Sequence, residues 1–228
     1  PPEWCEVSEW AMVTANQALK AVGLFIAYLL KSITDLFLTK PLWASLKVLE
    51  DTDLRATGGI HETYKAKALW EKTGAVIMVV RRPGCLLCRE EAIELSSLKP
   101  HLEELGIPLL AVVKENIGHE LDAFKTCFTG EVYVDQKRAL YGPVERYMFL
   151  SALLRIGVWR SLWRAYRKGC TGNIIKGEGL VLGGVFVIGP EDQGILLEHR
   201  EKEFGDKVNL LAVLRSARKI QDCLATAK

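Results

Sequence analysis

Two continuous apolar runs of strand length mark the central part of the chain, AVIMVV over 75–80 and GIPLLAVV over 106–113. Runs without polar alternation are typical of strands that are buried on both faces of a sheet. Between them, apolar residues recur every three or four positions from Ala92 to Leu105, which predicts a helix. Pro100 lacks a backbone donor, so we expect the helix to kink or restart there. Together these segments predict a right-handed β-α-β unit.

The second half of the chain continues this alternation of strands and helices. Periodicity predicts a helix over 120–128, a strand over 131–135 and a long amphipathic helix over 144–168. Two apolar runs separated by the turn PEDQ predict a β-hairpin, and Asp206 is the expected cap of a final helix that ends near residue 220. This order of elements predicts an α/β, thioredoxin-like (peroxiredoxin-like) central sheet flanked by helices.

Residues 1–62 differ from the rest, and we expect them to form an N-terminal helical extension ahead of a thioredoxin-like redox domain over 63–228. The extension contains ten unbroken apolar residues between Lys20 and Lys31, and it ends in a polar loop over 50–62. A short helix over 63–72 then opens the domain.

The apolar run of the extension is too short for a confident membrane span, which needs about 20 residues. Apolar side chains nevertheless cover most of the circumference of the predicted helix, and such a helix needs a partner. We expect peripheral membrane contact through residues 18–38. Docking on the domain, pairing with a second chain, and a secretory signal or signal anchor are the alternatives.

The composition is that of an ordinary globular protein and does not indicate a particular binding partner. The chain has 228 residues, 49% of them hydrophobic, with a net charge of +2, so charge gives no support for nucleic acid as a partner. Six cysteines are too few for a small disulfide scaffold, and no Asn-x-Ser/Thr acceptor site occurs. We therefore expect a reducing, cytoplasmic location, with membrane association or secretion as alternatives.

Cys85 and Cys88 form a C-x-x-C motif between the first predicted strand and the helix that follows it. At such a junction, unpaired backbone N–H groups and the helix dipole stabilise a thiolate. Cys88 continues the apolar stripe of the helix, so it is expected to face the core, whereas Cys85 at the helix tip is expected to be more exposed. Thioredoxin chemistry would make Cys85 the attacking thiol, and peroxiredoxin chemistry would make it Cys88.

Three arginines flank the motif, Arg81, Arg82 and Arg89, and we expect Arg82 and Arg89 to support the thiolate. A structural zinc site is disfavoured because no second pair of ligands has the required spacing, and we expect no metal and no cofactor. Two inert buried cysteines remain an alternative.

Four long segments carry a resemblance that is more specific than the cysteine motif. They are RRPGCLLCREE, LLAVVKE, GEGLVLGGVFVIG and GILLEHREKEFGDKVNLL. With these segments the chain resembles the peroxiredoxin-like 2 family, in particular its A branch, from about residue 41 to residue 220. The family is thioredoxin-like, and its redox-active pair falls here on Cys85 and Cys88. Where thioredoxins carry a cis-proline facing the motif, this chain has Gly183 and Gly184.

The resemblance implies an antioxidant, redox-regulatory protein that reduces peroxides or oxidised partners through a thiol–disulfide pair. The implied reductant is thioredoxin or glutathione, and the implied substrate is a peroxide or an oxidised protein. Two alternatives are a thioredoxin-dependent reductase of prostaglandin-type endoperoxides, as in the sister branch, and a non-catalytic regulatory binding protein. The resemblance also implies a cytoplasmic location, with secretion as the alternative.

The predicted helix over 144–168 interleaves tryptophan and tyrosine with arginine. A basic, aromatic amphipathic helix can lie on an anionic membrane. The favoured expectation is that its tryptophans, Trp159 and Trp163, pack on the sheet while its arginines face water.

Overall fold

A mixed seven-stranded sheet forms the centre of the computed structural model. The structure describes residues 3–226 except 37, 39, 41, 59–61, 117, 149 and 173–177. The strands are β1 Asp53–Ala56, β2 Thr63–Lys65, β3 Ala75–Val80, β4 Leu109–Val113, β5 Glu131–Val134, β6 Gly184–Ile188 and β7 Ile195–Arg200. Their order across the sheet is β2-β1-β5-β4-β3-β6-β7.

Helices cover both faces of this sheet or precede it. They are α1 Glu3–Leu36, α2 Leu46–Glu50, α3 Leu86–Ser96, α4 Lys99–Glu104, α5 Gly118–Lys125, α6 Ile156–Arg167 and α7 Leu210–Thr226. Pro100 lies in the first turn of α4, which confirms the predicted restart, because a proline is tolerated where the N–H has no intrahelical partner.

Strand β3 is the centre of the fold, and every one of its residues is buried. It pairs in parallel with β4 and antiparallel with β6, so the predicted β-α-β unit and the predicted hairpin meet on it. Its side chains alternate between two cores. Val76 and Met78 contribute to the core under α3 and α7, whereas Ile77 and Val79 pack with Trp70 on the other face. The predicted thioredoxin-like α/β fold is confirmed.

The predicted loop over 50–62 is wrong, because β1 lies within it and pairs with both β2 and β5. The predicted short helix over 63–72 is instead strand β2 followed by a 3-10 turn, Ala66–Leu69. The sheet therefore begins before residue 63, inside the stretch that the sequence assigns to the extension.

The stretch 144–168 is not one helix. Tyr147 bridges Val181, a 3-10 turn covers Leu150–Leu154, and α6 begins only at Ile156. The expectation that its tryptophans pack on the sheet is also wrong, since Trp159 and Trp163 are exposed.

The predicted cap of the last helix is wrong as well. Asn209, not Asp206, caps α7, because its side-chain oxygen accepts a hydrogen bond from the backbone N–H of Ala212 at 3.1 Å. The Asp206 carboxylate accepts from the backbone N–H of Lys202 instead, at 2.9 Å.

Helix α1 is longer than the apolar run alone predicts. Its segment Val13–Leu36 has 24 residues, and by length and composition it is sufficient to cross a membrane. Most side chains of the segment Val13–Leu36 are exposed. The C-terminal end is held by Arg155, whose Nε donates to the Thr34 hydroxyl at 2.9 Å and whose Nη2 pairs with Asp35.

Candidate active site

Cys85 and Cys88 lie at the junction between β3 and α3, as predicted. A short loop leaves β3, Cys85 is the N-cap residue of α3, and Cys88 lies in the first turn. Both thiols are free. Cys85 is the more exposed of the two, as predicted, but both thiols are buried and the difference is small, with exposed fractions of 7% for Cys85 and 3% for Cys88. The difference between the two thiols is therefore electrostatic rather than one of exposure.

The two sulfurs interact, and their pKa values move in opposite directions. The pKa of Cys85 lies well below its usual value because the Cys88 thiol hydrogen-bonds to it, with the Arg81 charge and the backbone N–H groups of Leu87 and Cys88 acting in the same direction. Burial opposes this shift. The pKa of Cys88 lies well above its usual value because its proton is held by Cys85 and because the thiol is buried. Of the two thiols, Cys85 is thus the one that loses its proton more readily.

Arg81 is the cation that contacts the thiolate. Its Nη2 donates to the Cys85 sulfur at 2.9 Å, and its Nη1 donates to the carbonyl of Gly179 at 3.0 Å. The guanidinium also lies over the Phe204 ring, 4.2 Å from the centroid. Its Nε is 3.8 Å from the Glu201 carboxylate. These contacts hold the planar group against the sulfur.

Arg89 does not share this role. Its side chain donates to the carbonyls of Pro83 and Thr171, at 3.1 and 2.9 Å, and pairs with Glu120 at 3.1 Å. It ties the loop before the motif to α5 and to the segment after α6. Arg82 is buried and lines a cavity beside Cys85. Arg81 therefore makes the direct contact with the Cys85 sulfur. The sequence instead favours Arg82 and Arg89 as the residues that support the thiolate.

Two buried carboxyl groups, Glu201 and Glu91, lie near the thiols. Glu201 accepts from the backbone N–H of Gly183 at 2.8 Å, and burial raises its pKa although Arg81 opposes the shift. Glu91, in α3, accepts from the backbone N–H of Val208 at 3.1 Å. Burial, followed by the charge of Glu201, raises the pKa of Glu91 to about 8. Only the fold brings these acids together, since they lie on α3 and at the end of β7.

Two glycines allow the close packing around the motif. A Cβ at Gly183 would collide with the carbonyl oxygen of Val79 and crowd the N–H of Arg81. A Cβ at Gly172 would collide with the backbone N–H of Leu86 at the start of α3. Cis peptide bonds are absent from the described residues. Gly183 therefore packs against the end of β3 with a trans peptide bond, where thioredoxins carry a cis-proline.

A cavity of about 350 Å³ borders Cys85. Its lining is mostly apolar and comes from α3, α6, the 3-10 turn before α6, the segment before β6 and the segment after β7. It includes Leu87, Leu153, Val158, Leu162, Leu180 and Phe204. A larger cavity, about 460 Å³, lies between β1 and β5, and neither cysteine lines it. Of these two cavities, only the smaller one is lined by Cys85. Among the described residues, His, Cys, Asp and Glu side chains form no group of three that could hold a metal ion.

Comparisons with known proteins identify the family to which the chain belongs. Residues 94–203 match the family model described as AhpC/TSA antioxidant enzyme. Peroxiredoxin-like 2A of Bos taurus is 58% identical over 201 residues, covering 88% of this chain and 92% of that protein. The human protein of that name is 56% identical over 220 residues, covering 96% and 93%. The chain belongs to the peroxiredoxin-like 2 family, A branch.

Solved structures give more distant similarities. A mutant of peroxiredoxin Q from Xanthomonas campestris has a TM-score of 0.46 at 17% identity, covering 83% of this chain and all of that one. A PrxQ mutant from Xylella fastidiosa has a TM-score of 0.49 at 16% identity, covering 84% and 97%.

Membership of the peroxiredoxin-like 2 family and the AhpC/TSA match give the chain a redox antioxidant role. Peroxides as substrates and thiols as reductants follow in general terms from the same match. The matched residues begin after Cys88, so the roles of the two cysteines rest on the geometry described above.

Proposed function

We propose that this protein is a thiol peroxidase in which Cys85 attacks the peroxide and Cys88 resolves the product. The observation that carries the proposal is the opposite displacement of the two pKa values, low for Cys85 and high for Cys88. A thiolate at neutral pH is the nucleophile that peroxide reduction needs. Cys85 also borders the cavity, whereas Cys88 is absent from its lining. These two facts favour Cys85 over Cys88 as the attacking residue.

The chemistry balances with one peroxide and either one dithiol, such as thioredoxin, or two molecules of a monothiol, such as glutathione. The Cys85 sulfur attacks one peroxide oxygen, the O–O bond breaks, and the leaving oxygen takes a proton to become an alcohol or water. Cys85 is then a sulfenic acid. The Cys88 sulfur attacks it, a disulfide forms, and water leaves with the Cys88 proton. Thioredoxin or glutathione supplies two electrons and two protons to restore the pair.

The burial of both thiols supports a small-molecule peroxide as the first oxidant, because it can reach Cys85 through the cavity without displacing protein. An oxidised protein or the protein reductant would need local opening of the segments that cover the cysteines. The apolar lining of the cavity supports a second candidate, a prostaglandin-type endoperoxide. A thioredoxin-coupled assay of NADPH oxidation with hydrogen peroxide and with prostaglandin H2 separates the two substrates.

The test of the mechanism is mass spectrometry after mild oxidation with peroxide. The peptide that contains Cys85 and Cys88 is expected to lose two hydrogens in the wild type, and to retain them in Cys88→Ser. In that variant a sulfenic-acid reagent is expected to label Cys85. Cys127→Ser, which removes a partly exposed thiol, is the control and keeps the disulfide. Sulfenic acid on Cys88 in a Cys85→Ser variant, with none on Cys85 in Cys88→Ser, would reverse the two roles.

A non-enzymatic regulatory role is the remaining alternative. A Cys85→Ser, Cys88→Ser double variant that keeps full cellular activity would support it, because regulation by binding alone does not need the thiols.

We propose further that the protein is cytoplasmic and that helix α1 attaches it to a membrane through residues 18–38. The exposed apolar segment Val13–Leu36 supports this attachment. Deleting residues 1–40 is expected to release the protein into the soluble fraction while Cys85–Cys88 disulfide formation persists. Alkaline extraction of the full chain distinguishes peripheral attachment, which it reverses, from a span, which it does not.

A further inference from the structure

Helix α6 exposes three aromatic side chains on one face. The exposed fractions are 55% for Trp159, 63% for Trp163 and 70% for Tyr166. Positions three and four apart share a helix face, so these residues form one stripe. The opposite face of α6 faces the interior, where Val158, Ser161 and Ala165 are buried. The aromatic stripe is thus the outer face of a well-packed helix.

Apolar side chains extend this stripe towards α1. Ile156 at the start of α6 is about half exposed, and so are Leu153 and Leu154 in the preceding 3-10 turn. The same turn contacts α1, and Arg155 joins it to Thr34 and Asp35 at the C-terminal end of that helix. We call the exposed residues of 153–167 the aromatic face. It is continuous with the exposed apolar helix α1, and contiguous apolar surface of this kind marks an interaction site.

The charge on the aromatic face is entirely basic. Arg160 and Arg167 are exposed beside the aromatic stripe, and the sequence has no acidic residue between 150 and 170. Arg164 and Lys168 differ, since both pair with Glu90 of α3, at 2.9 and 3.1 Å. Two arginines therefore remain directed outward among tryptophan and tyrosine.

We propose that the aromatic face rests on the headgroup layer of an anionic lipid bilayer. Tryptophan and tyrosine favour that layer because the ring is apolar and its N–H or O–H forms a polar contact. In Trp159 this contact lies within the protein, since its indole N–H donates to the Leu153 carbonyl at 2.8 Å and leaves the ring exposed. Arginine buries its aliphatic part and keeps its charge among phosphates. A second copy of the chain fits less well, because a two-fold contact through this face would bring Arg160 and Arg167 of both copies together without an acidic partner.

The proposal also orients the candidate active site. Leu153, Val158 and Leu162 line the cavity beside Cys85, and they belong to the turn and helix that carry the aromatic face. The contact with lipid would therefore place this cavity close to the bilayer surface. The surface proposal does not depend on the roles of the cysteines, and its test involves no redox reaction.

The test uses the full chain with vesicles of phosphatidylcholine, alone or mixed with phosphatidylserine, whose acyl chains carry bromine near the headgroup. Bromine quenches tryptophan fluorescence at short range. The proposal predicts additional quenching when phosphatidylserine is present, and its loss at high salt because salt screens the arginines. Trp159→Phe with Trp163→Phe should abolish this phosphatidylserine-dependent part, and Trp43→Phe, which removes an exposed tryptophan outside the aromatic face, should retain it.

Charge-reversal variants test the role of the arginines in the same quenching assay. Arg160→Glu with Arg167→Glu should abolish the phosphatidylserine-dependent quenching. Arg215→Glu with Arg218→Glu makes the same charge change at exposed positions of α7 and should leave it intact. The proposal fails if quenching does not depend on phosphatidylserine, or if the double tryptophan variant keeps that dependence. A vesicle-independent dimer that dissociates in the double tryptophan variant would assign the aromatic face to a second copy instead.

Discussion

The guanidinium of Arg81 lies between Glu201 and the sulfur of Cys85. Its Nε is 3.8 Å from the Glu201 carboxylate, and its Nη2 is 2.9 Å from the Cys85 sulfur. One buried cation thus faces two groups that can carry negative charge, and the charge of each affects the other. Because the side chains of Arg81 and Glu201 are almost completely buried, water screens these interactions weakly.

Arg81→Met is expected to raise the pKa of Cys85, because it removes the opposite charge while keeping most of the side-chain volume. The rate of Cys85 alkylation by iodoacetamide at neutral pH should fall by roughly tenfold. The rate is measured by mass spectrometry of the Cys85 peptide. Arg89→Met removes a neighbouring cation that does not contact the sulfur, so it should leave the rate nearly unchanged. Equal rates for Arg81→Met and the wild type would show that Arg81 does not stabilise the thiolate.

Glu91 should make stability depend on pH. Its pKa is raised from an ordinary value of 4.5 to about 8, so the folded chain favours the protonated carboxyl. This contribution is complete below pH 4.5 and is lost as the pH rises towards 8. At about 1.4 kcal/mol per pKa unit, the free energy of unfolding should fall by up to about 4 kcal/mol over that range.

Glu91→Gln should remove this fall, which denaturant unfolding at a series of pH values measures. Glu94→Gln on the same helix is the control, because the stability contributed by Glu94 depends on pH in the opposite direction. Although burial opposes the shift, ion pairs with Lys168 and Lys207 lower the pKa of Glu94, so its contribution is present above pH 4.5 and lost on acidification. A Glu91→Gln profile parallel to the wild type would contradict the assignment of this carboxyl.

Gly183→Ala is expected to destabilise the fold because the new Cβ would collide with the carbonyl oxygen of Val79 in β3. Relieving such a clash in a packed sheet costs roughly 2–3 kcal/mol, or about 5–10 °C in Tm. Calorimetry measures the change. Gly58→Ala, at a position where a Cβ meets nothing within 4 Å, should leave Tm almost unchanged. A similar Tm for both variants would mean that the backbone at residue 183 can move away from β3 with little loss of stability.

Arg155→Ala is expected to release the C-terminal end of α1. The substitution removes the hydrogen bond to Thr34 and the ion pairs to Asp35 and Glu203. Amide hydrogen exchange over 30–36 should become faster by roughly tenfold or more, since the local opening free energy falls. Arg160→Ala, an exposed arginine one turn further on, is the control. Unchanged exchange in Arg155→Ala would show that other contacts hold this end of the helix.

The sequence predicts best the elements whose pattern is local. Continuous apolar runs identify β3 and β4, and the position of the motif between strand and helix follows from them. Strands β1 and β2 escape prediction because they are four and three residues long and mostly polar. They become strands by pairing with each other and with β5, a contact between distant parts of the chain.

Side-chain direction is the part of the site that local pattern does not determine. Arg81, Arg82 and Arg89 are equivalent in charge, and only the path of the loop after β3 directs Arg81 to the sulfur. Likewise, periodicity shows that α6 has two faces but not which one is buried. Small residues such as Ala165 face the interior there, and this leaves Trp163 outside.

The partners that hold Arg81 come late in the chain. Gly179, whose carbonyl accepts one of its hydrogen bonds, is 98 residues further along, and Glu201 follows at the end of β7. During synthesis, β3 and α3 therefore emerge long before the hairpin of β6 and β7 completes their surroundings. Until then Cys85 and Cys88 lie in a solvated segment, where desolvation and a fixed guanidinium do not yet act on them. The contacts that lower the pKa of Cys85 are thus completed only after the second half of the chain has folded.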